Sequence, residues 1–312
     1  MYKELYPFDF VRMTDTNNGR IFPYRGMNYA DYSRILTEFG TYPLIISLKD
    51  KDGPIKKEHE NLYSYIESGI PALASFGGHV VCIIGHTLEY KDIPADIKTK
   101  EVFLDSSFFV KQYIVCDDNF FPYQLLGYQC DLDNYGAKYT PGYTIDHIAI
   151  AVCPLPEKAF LPVEKARERA FNYLGTDEFK EIIKNTEKPL ITRLFMTTSS
   201  SFKKMKLRYA RKCLELKKYL DNSVDIILNL SMPHFIWVME VGTYNQYRER
   251  KVFAEIVIDT TSGGIEKDLV YARIRDMLYI KSEEIDLSEG NSNSDFWEFD
   301  QYTHNLGEVN HG

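Results

Sequence analysis

The sequence predicts an α+β protein, in which helices and antiparallel strands occupy separate stretches of the chain. Apolar residues make up 44% and charged residues 26% of the 312 residues, a balance typical of a chain that folds around a core. In the first half, two segments with helical spacing precede a series of strand-like runs instead of alternating with them. A chain of this length has room for one large domain or two ordinary ones.

The elements of the first half are bounded by recognisable signals. Tyr29 to Phe39 and Lys57 to Ser68 carry apolar side chains at helical spacing, and a glycine follows each segment. Both segments are therefore predicted to be helices. Short apolar runs predict strands at residues 44–48, 72–76, 79–85, 109–116 and 145–152.

Two stretches interrupt this pattern and set the predicted organisation. Residues 86–105 form a polar excursion between two strands, and Pro154-Leu155-Pro156 is expected to break the chain after the last strand. We therefore divide the chain at about residue 153. The predicted regions are residues 1–153, residues 154–281 and an acidic tail of residues 282–312.

The second region is predicted to be an α/β domain whose role the sequence leaves open. Its elements are a helix (Val163–Leu174), a strand (Leu190–Met196), a basic helix (Ser201–Leu220), a pair of strands (His234–Val241 and Phe253–Asp259) and a final helix (Ile265–Tyr279). A long polar loop is expected to join the two paired strands into a hairpin.

The net charge of −8 is concentrated at the C-terminal end. No Lys or Arg follows Lys281, whereas eight acidic residues do, so residues 1–281 are close to neutral. A near-neutral body argues against broad nucleic-acid binding, which needs excess positive charge. The tail is predicted to be loose, although its Phe296, Trp297 and Phe299 could dock on the body.

The cysteines and the first residues bear on the cellular compartment. Five cysteines are scattered without a CxxC pair, which favours free thiols in a reducing compartment. No apolar run is long enough for a membrane-spanning helix, and residues 1–7 contain no secretory signal. We therefore expect a cytoplasmic protein.

The most specific pattern surrounds one histidine and a pair of aspartates. A predicted helix ends in Gly69-Ile70-Pro71, which leads into a strand, and the next strand opens with Gly78-His79. Later in the chain another strand ends in Cys116-Asp117-Asp118-Asn119. A rigid sheet can present such a histidine to a cleft, and a carboxylate on a neighbouring strand can fix its tautomer.

This arrangement resembles the histidine half of papain-like cysteine peptidases, especially the bacteriocin-processing branch and its uncharacterised bacterial relatives. The resemblance implies that residues 1–153 form a papain-like region of helices followed by an antiparallel sheet. It also implies that His79 is the general base and that Asp117 or Asp118 orients its ring. Alternation along a strand places the two aspartates on opposite faces, so only one is expected to point at His79. The resemblance implies no cofactor and no metal.

The nucleophile of that family is a cysteine at the start of a helix upstream of the histidine, and here the chain departs from the pattern. No cysteine precedes Cys82, and residues 25–29 resemble the segment after the cysteine helix, so the thiol is expected to lie upstream of this sequence. Cys82 lies three residues after His79 and faces the other way. Cys213 lies inside a basic helix, which leaves Cys153 as the candidate for a permuted site.

Two further patterns admit functional interpretations. His234 and Glu240 share one face of a strand and Asp259 ends the next, so they could bind a metal or act in acid–base catalysis, although polar residues at strand ends are more common. The basic helix Ser201–Leu220 could contact nucleic acid or an anionic partner, or it could be a solvated face or the docking site of the acidic tail. No Walker loop, GxSxG elbow or HExxH motif occurs.

The sequence therefore predicts a protein related to papain-like peptidases, with thiol-mediated hydrolysis of a peptide or isopeptide bond as its ancestral reaction. Without the upstream cysteine, the chain is expected to be a fragment of such an enzyme or a pseudoenzyme. The alternative is a non-catalytic protein that holds a peptide in the cleft of the fold or serves as a scaffold.

Overall fold

Helices and mainly antiparallel sheets make up the described part of the chain, which confirms the predicted α+β class. The computed structural model describes residues 29–48, 56–76, 78–119, 122–128, 144–216, 223–261, 268–275, 277–280, 283–286 and 298–302. Within these ranges, no helix combines the length and the apolar character that crossing a membrane requires.

The helices, numbered in chain order, bear out the predicted segments at 29–39, 57–68 and 163–174. They are α1 (Tyr29–Glu38), α2 (Lys56–Glu67), α3 (Ala95–Lys100), α4 (Val163–Leu174), α5 (Asp177–Lys184), α6 (Ser199–Glu215), α7 (Ser223–Asn229) and α8 (Tyr244–Arg248). The basic helix is α6, and residues 217–220 of its predicted range lie outside the described residues.

The strands fall into two large sheets and one short pair. They are β1 (Thr41–Ser47), β2 (Ala72–Ser75), β3 (Val80–Leu88), β4 (Phe103–Asp105), β5 (Val110–Cys116), β6 (Gln124–Gly127), β7 (Ile150–Pro156), β8 (Leu190–Thr198), β9 (Phe235–Gly242), β10 (Lys251–Val252), β11 (Ala254–Asp259), β12 (Leu269–Ile274), β13 (Met277–Ile280), β14 (Glu283–Asp286) and β15 (Phe299–Asp300). β10 and β15 form the short pair.

The first sheet is antiparallel throughout, with the order β1-β7-β2-β3-β5-β6. Because β3 and β5 are antiparallel neighbours, the start of β3 lies beside the end of β5. The second sheet has the order β14-β13-β12-β11-β9-β8-β4, and only β4 runs parallel to its neighbour β8. β9 and β11 pair as the predicted hairpin, with α8 and β10 in their connection.

The main core lies between the two sheets and is filled by α2 and α4. Tyr65 of α2 is fully buried, and its ring packs edge-on against Trp237 of β9 with a centroid distance of 5.6 Å. The Tyr65 hydroxyl accepts a hydrogen bond from the backbone N–H of Val163 at 3.0 Å. Trp237 donates its indole N–H to the carbonyl of Leu161 at 2.9 Å. The buried polar atoms of these aromatic side chains are thus paired, as a close-packed core requires.

The other face of the second sheet carries a row of buried charges across four strands, which are Arg193, Glu240, Glu255 and Arg273. Lys206 of α6 donates to both carboxylate oxygens of Glu255 at 2.6 Å. Phe299 and Tyr302, both almost fully buried, cover the row. The described end of the acidic tail therefore docks on the body next to the basic helix, with Lys212 bound to Asp300 at 2.7 Å.

The predicted final helix, Ile265–Tyr279, is wrong, because β12 and β13 occupy its described residues. Both faces of β12 are covered, so every residue from Val270 to Ile274 is buried and the two-residue alternation of a strand is hidden. Arg275, with a φ of 51°, lies between the two strands. A continuous apolar run of this kind does not distinguish a helix from a doubly covered strand.

The predicted break at Pro154-Leu155-Pro156 is also wrong, because β7 continues through it and pairs with β1 up to Thr41↔Pro156. β2 pairs with β7 only at residues 150–152. Beyond that point β7 has one neighbour, and prolines are tolerated where a strand has an unpaired side. The predicted boundary near residue 153 falls inside this strand.

β4, within the predicted polar excursion, joins the second sheet.

Candidate functional site

His79 lies in the tight connection between β2 and β3. Its carbonyl accepts a hydrogen bond from the backbone N–H of Phe76 at 2.9 Å, and Ser75 pairs with Val80 in the ladder that follows. The histidine is therefore held by the sheet at the point where β3 begins. Its side chain is 34% exposed, so part of the imidazole faces solvent.

Asp117 directly follows β5, whose last residue, Cys116, pairs with Cys82 of β3. This register brings the aspartate to the same end of the sheet as His79. The distance between His79 Nε2 and Asp117 Oδ1 is 2.9 Å, and the Asp117 side chain has an exposed fraction of 0%. The structure thus brings together the histidine and one of the two predicted carboxylates.

The hydrogen bonds of Asp117 determine which ring nitrogen of His79 carries the proton. The backbone N–H of Asn119 donates to Asp117 Oδ1 at 2.9 Å, which fixes the carboxylate in a local turn. An ionised carboxylate can only accept hydrogen bonds, so His79 must donate from Nε2. The lone pair of the neutral imidazole then resides on Nδ1, the nitrogen that can accept a proton from a reacting group.

Asp118 approaches the same corner, contrary to the expectation that strand alternation would turn it away. Ligand atoms of His79, Asp117 and Asp118 all lie within 4.8 Å of one another. β5 ends at Cys116, and a turn follows, so the alternation of a strand no longer applies to the two aspartates. Asp117 holds the hydrogen bond to the ring, whereas Asp118 is exposed.

Asn119 completes this corner. Its side-chain nitrogen lies 3.5 Å from both ring nitrogens of His79, at the limit of hydrogen bonding. The amide nitrogen is therefore equally close to Nδ1 and to the nitrogen that Asp117 holds. The sequence pattern included Asn119 only as the residue after the aspartates, and its proximity to the ring follows from the turn.

Two of the described cysteines, Cys82 and Cys153, have pKa values shifted away from that of an activated thiol. Burial, together with the neighbouring Cys116, raises the pKa of Cys82, and burial raises the pKa of Cys153. An activated nucleophile has the opposite shift, because the thiolate must form near neutral pH. Cys153 is fully buried in β7, so the permuted site suggested for it has no access to a substrate. Cys213 is buried within α6, and Cys130 lies outside the described residues.

The suggested metal cluster of His234, Glu240 and Asp259 does not form. Glu240 is buried and accepts a hydrogen bond from Arg193 Nη1 at 2.8 Å. Asp259 Oδ1 accepts from the backbone N–H of Thr261 at 2.6 Å. In the described ranges, the group formed by His79, Asp117 and Asp118 is the one set of three such side chains close enough for one ion.

A second histidine–carboxylate contact, which the sequence did not single out, lies further along β3. His86 Nε2 contacts Glu67 Oε2 at the C-terminal end of α2, and the ring packs 5.0 Å from that of Tyr63. Arg193 of β8 donates to Glu67 Oε1 at 2.7 Å through Nε and to Glu240 through Nη1. Glu67, His86 and Arg193 come from a helix and from both sheets, which only the tertiary fold brings together. In the sequence they therefore look like ordinary surface charges.

The pKa values of the two carboxylates bound to Arg193 are shifted in opposite directions. Burial alone would raise the pKa of Glu67, but the Arg193 guanidinium and the hydrogen bond from His86 outweigh it and hold the pKa well below its usual range. For Glu240, burial dominates over the attraction of Arg193, so its pKa is raised. Of the two carboxylates, Glu67 is therefore the one whose ionised form the site favours.

No protein-family model, curated protein or solved structure matches the chain, so the geometry of the described residues carries the functional argument.

Proposed function

We propose that His79 and Asp117 are the general base and the orienting carboxylate of a papain-like thiol hydrolase site that acts on a peptide or isopeptide bond. The observation that carries this proposal is the 2.9 Å contact between His79 Nε2 and Asp117 Oδ1. In this contact the imidazole is partly exposed and the carboxylate is fully buried. Base catalysis needs this combination of an accessible nitrogen and a fixed tautomer.

The proposed reaction uses the two ring nitrogens differently. His79 Nδ1 takes the proton of a cysteine thiol, and the resulting thiolate attacks the carbonyl carbon of the substrate. The imidazolium then gives that proton to the leaving amine, which departs and leaves a thioester. Nδ1 next takes a proton from water, whose oxygen displaces the thiolate. The imidazolium returns this proton to the thiolate, and the acid product leaves. Asp117 stabilises the imidazolium through the Nε2–H bond in both half-reactions.

The proposal takes its thiol from outside the described residues. Among the described cysteines, Cys82 has a raised pKa, Cys153 and Cys213 are buried, and Cys116 is half-buried at the end of a strand instead of at the start of a helix. The remaining sources are Cys130 and a cysteine of a longer gene product. In the second case the present sequence is a fragment of an enzyme, and in the absence of any such thiol it is a pseudoenzyme.

The same observation on the cysteines favours a second candidate function, a non-catalytic peptide-binding or scaffold protein. With no thiol to deprotonate, the exposed side of His79 and the amide of Asn119 still offer hydrogen bonds at the open corner of the sheet. A peptide bound there would be held and released unchanged. The two candidates differ in whether any cysteine depends on His79 for its reactivity.

Thiol labelling separates the two candidates. The longest natural form of the protein is treated with a fluorescent iodoacetamide at neutral pH, beside His79→Ala and the matched control His147→Ala, which replaces another exposed histidine. The hydrolase proposal predicts one rapidly labelled cysteine whose rate falls at least about tenfold in His79→Ala and is unchanged in His147→Ala. If every cysteine labels at the same rate in all three proteins, the hydrolase proposal fails and the peptide-binding candidate remains.

We also propose that the protein acts in the cytoplasm. Four cysteines lie in the described part of the chain, and all are free thiols: Cys82, Cys116, Cys153 and Cys213. Cys82 and Cys116 face each other across β3 and β5 without a disulfide. Free, partly exposed thiols in such a pair are typical of a reducing compartment and support this placement.

A further inference from the structure

We propose that His79, Asp117 and Asp118 form a binding site for one divalent transition-metal ion of the zinc class. This inference goes beyond the proposed hydrolase function, because binding an ion requires no cysteine and no substrate. The site consists of the start of β3 and the turn after β5, two segments that the antiparallel sheet holds side by side.

The spacing of the donor atoms fits a single ion. One ligand atom from each of the three side chains lies within 4.8 Å of the others, and His79 Nε2 and Asp117 Oδ1 are already 2.9 Å apart. Zinc binds such atoms at about 2.0–2.2 Å, which separates two ligands by roughly 3.3–3.6 Å in a tetrahedral site. Small rotations of the side chains therefore admit an ion, which replaces the Nε2 proton that His79 now donates to Asp117. That proton leaves to solvent.

The types of donor select the class of metal. One imidazole nitrogen and two carboxylates suit zinc, cobalt and similar ions, whereas calcium and magnesium prefer shells of oxygen only. Two carboxylate charges balance the charge of a divalent ion. Three protein ligands leave at least one coordination position open to water, as in zinc sites that are not purely structural.

The surroundings prepare the ligands before an ion arrives. The backbone N–H of Asn119 holds Asp117 Oδ1 at 2.9 Å, and such outer hydrogen bonds orient metal ligands. Asp117 is fully buried, which fixes one ligand, while His79 is partly exposed and Asp118 is exposed. The ion therefore has both a rigid anchor and a path from solvent.

Metal binding and the proposed base catalysis exclude each other at this site. An ion on Nε2 removes the Nε2–H bond to Asp117, and the positive charge next to the ring prevents Nδ1 from accepting a thiol proton. We therefore expect the zinc-loaded form of the protein to be inactive in the proposed hydrolysis. The binding itself is an equilibrium property that is measured without any activity assay.

The test is a titration of tag-free, chelator-treated protein with zinc chloride by calorimetry, together with the visible absorption of the cobalt complex. The expected result is one ion per chain. His79→Ala should lower the zinc affinity by more than about a hundredfold, since removal of outer-shell partners alone costs about 10–100-fold. Asp118→Asn should lower it by at least about tenfold. The matched controls His234→Ala and Asp92→Asn remove exposed side chains elsewhere and should leave the affinity unchanged.

Thermal unfolding shows whether the variants keep their fold. Zinc should raise the melting temperature of the wild-type protein and of both controls, because an ion that binds only the folded state stabilises it. The same addition should not shift the melting temperature of His79→Ala, which without metal should stay close to that of the wild type.

Absence of one-to-one binding, or equal affinity in the wild type and His79→Ala, would overturn the metal site. Equal affinity for magnesium and zinc would overturn the class of ion. These results do not depend on the thiol-labelling experiment, so either proposal can fail alone.

Discussion

Two histidine–carboxylate pairs differ in what surrounds them: the histidine of the first directly precedes β3, and the histidine of the second lies within that strand. His79 and Asp117 meet at the end of the first sheet, where the histidine side chain is 34% exposed. His86 and Glu67 meet between the sheets, with side-chain exposures of 13% and 10%. The inner pair is also bound by a guanidinium, that of Arg193.

This difference in exposure indicates which of the two pairs can take part in proton transfer. At the open pair, the Asn119 amide nitrogen lies 3.5 Å from Nδ1 of His79, and the histidine side chain is partly exposed. At the inner pair, Nδ1 of His86 is buried and has no hydrogen-bond partner in the described part of the chain. A buried nitrogen without a partner has no route by which to exchange a proton with a substrate. The inner pair therefore stabilises the contact between the sheets, and the outer pair is the candidate for function.

The largest expected effect concerns the inner pair. Glu67→Gln removes the charge that Arg193 and His86 bind and leaves the buried guanidinium with less compensation, so the free energy of unfolding should fall by about 3 kcal/mol at neutral pH. Urea denaturation measures this loss. The matched control Glu89→Gln breaks an exposed pair with Lys111 and should cost less than about 1 kcal/mol. Equal losses in the two variants would contradict the assigned difference between buried and exposed pairs.

The effect of Glu67→Gln should also depend on pH. The pKa of Glu67 is lower in the folded state than its ordinary value of 4.5. A lowered pKa contributes stability that is fully present above the ordinary value and is lost as the pH falls below it. The difference between wild type and Glu67→Gln should therefore be constant near neutral pH and shrink below about pH 4.5. A difference that grows on acidification would contradict the ionised state assigned to Glu67.

A smaller effect is expected when the two histidines are compared directly. His86→Ala should lower the free energy of unfolding by about 1–3 kcal/mol, because it leaves Glu67 without one hydrogen bond and opens a gap beside Tyr63. His79→Ala should cost less than about 1 kcal/mol, because its loss exposes Asp117 to water and the Asn119 N–H remains bound to it. Thermal unfolding of both variants measures the order. A larger loss in His79→Ala than in His86→Ala would reverse the roles given to the two pairs.

Much of the fold followed from sequence patterns with clear boundaries. α1, α2 and α4 have one apolar face and begin or end at recognisable residues, so their periodicity is visible. β12 was mistaken for part of a helix because both of its faces are covered. β4 was missed because three residues in a polar stretch give no periodicity, and its pairing with β8 is a contact between distant parts of the chain.

The site around His79 and Asp117 was predictable in part. The buried contacts among Glu67, His86 and Arg193 were not. Gly78-His79 and Asp117 stand at strand ends, where local patterns place side chains near a cleft. The proximity of Asp118 depends on where β5 ends, a detail that alternation alone does not give. Glu67, His86 and Arg193 come from three elements that only the tertiary packing brings together, and buried charges look like surface charges in a sequence.

The central claim is that Asp117 holds the His79 imidazole in the Nε2–H form and leaves Nδ1 free to accept a proton. Long-range correlation of ring protons with ring nitrogens, by nuclear magnetic resonance above neutral pH, reads this tautomer directly. We predict the Nε2–H form for His79 in the wild-type protein and a shift towards the tautomer mixture of the exposed His234 in Asp117→Ala. A proton on Nδ1 of His79, or a spectrum that Asp117→Ala does not change, would contradict the account.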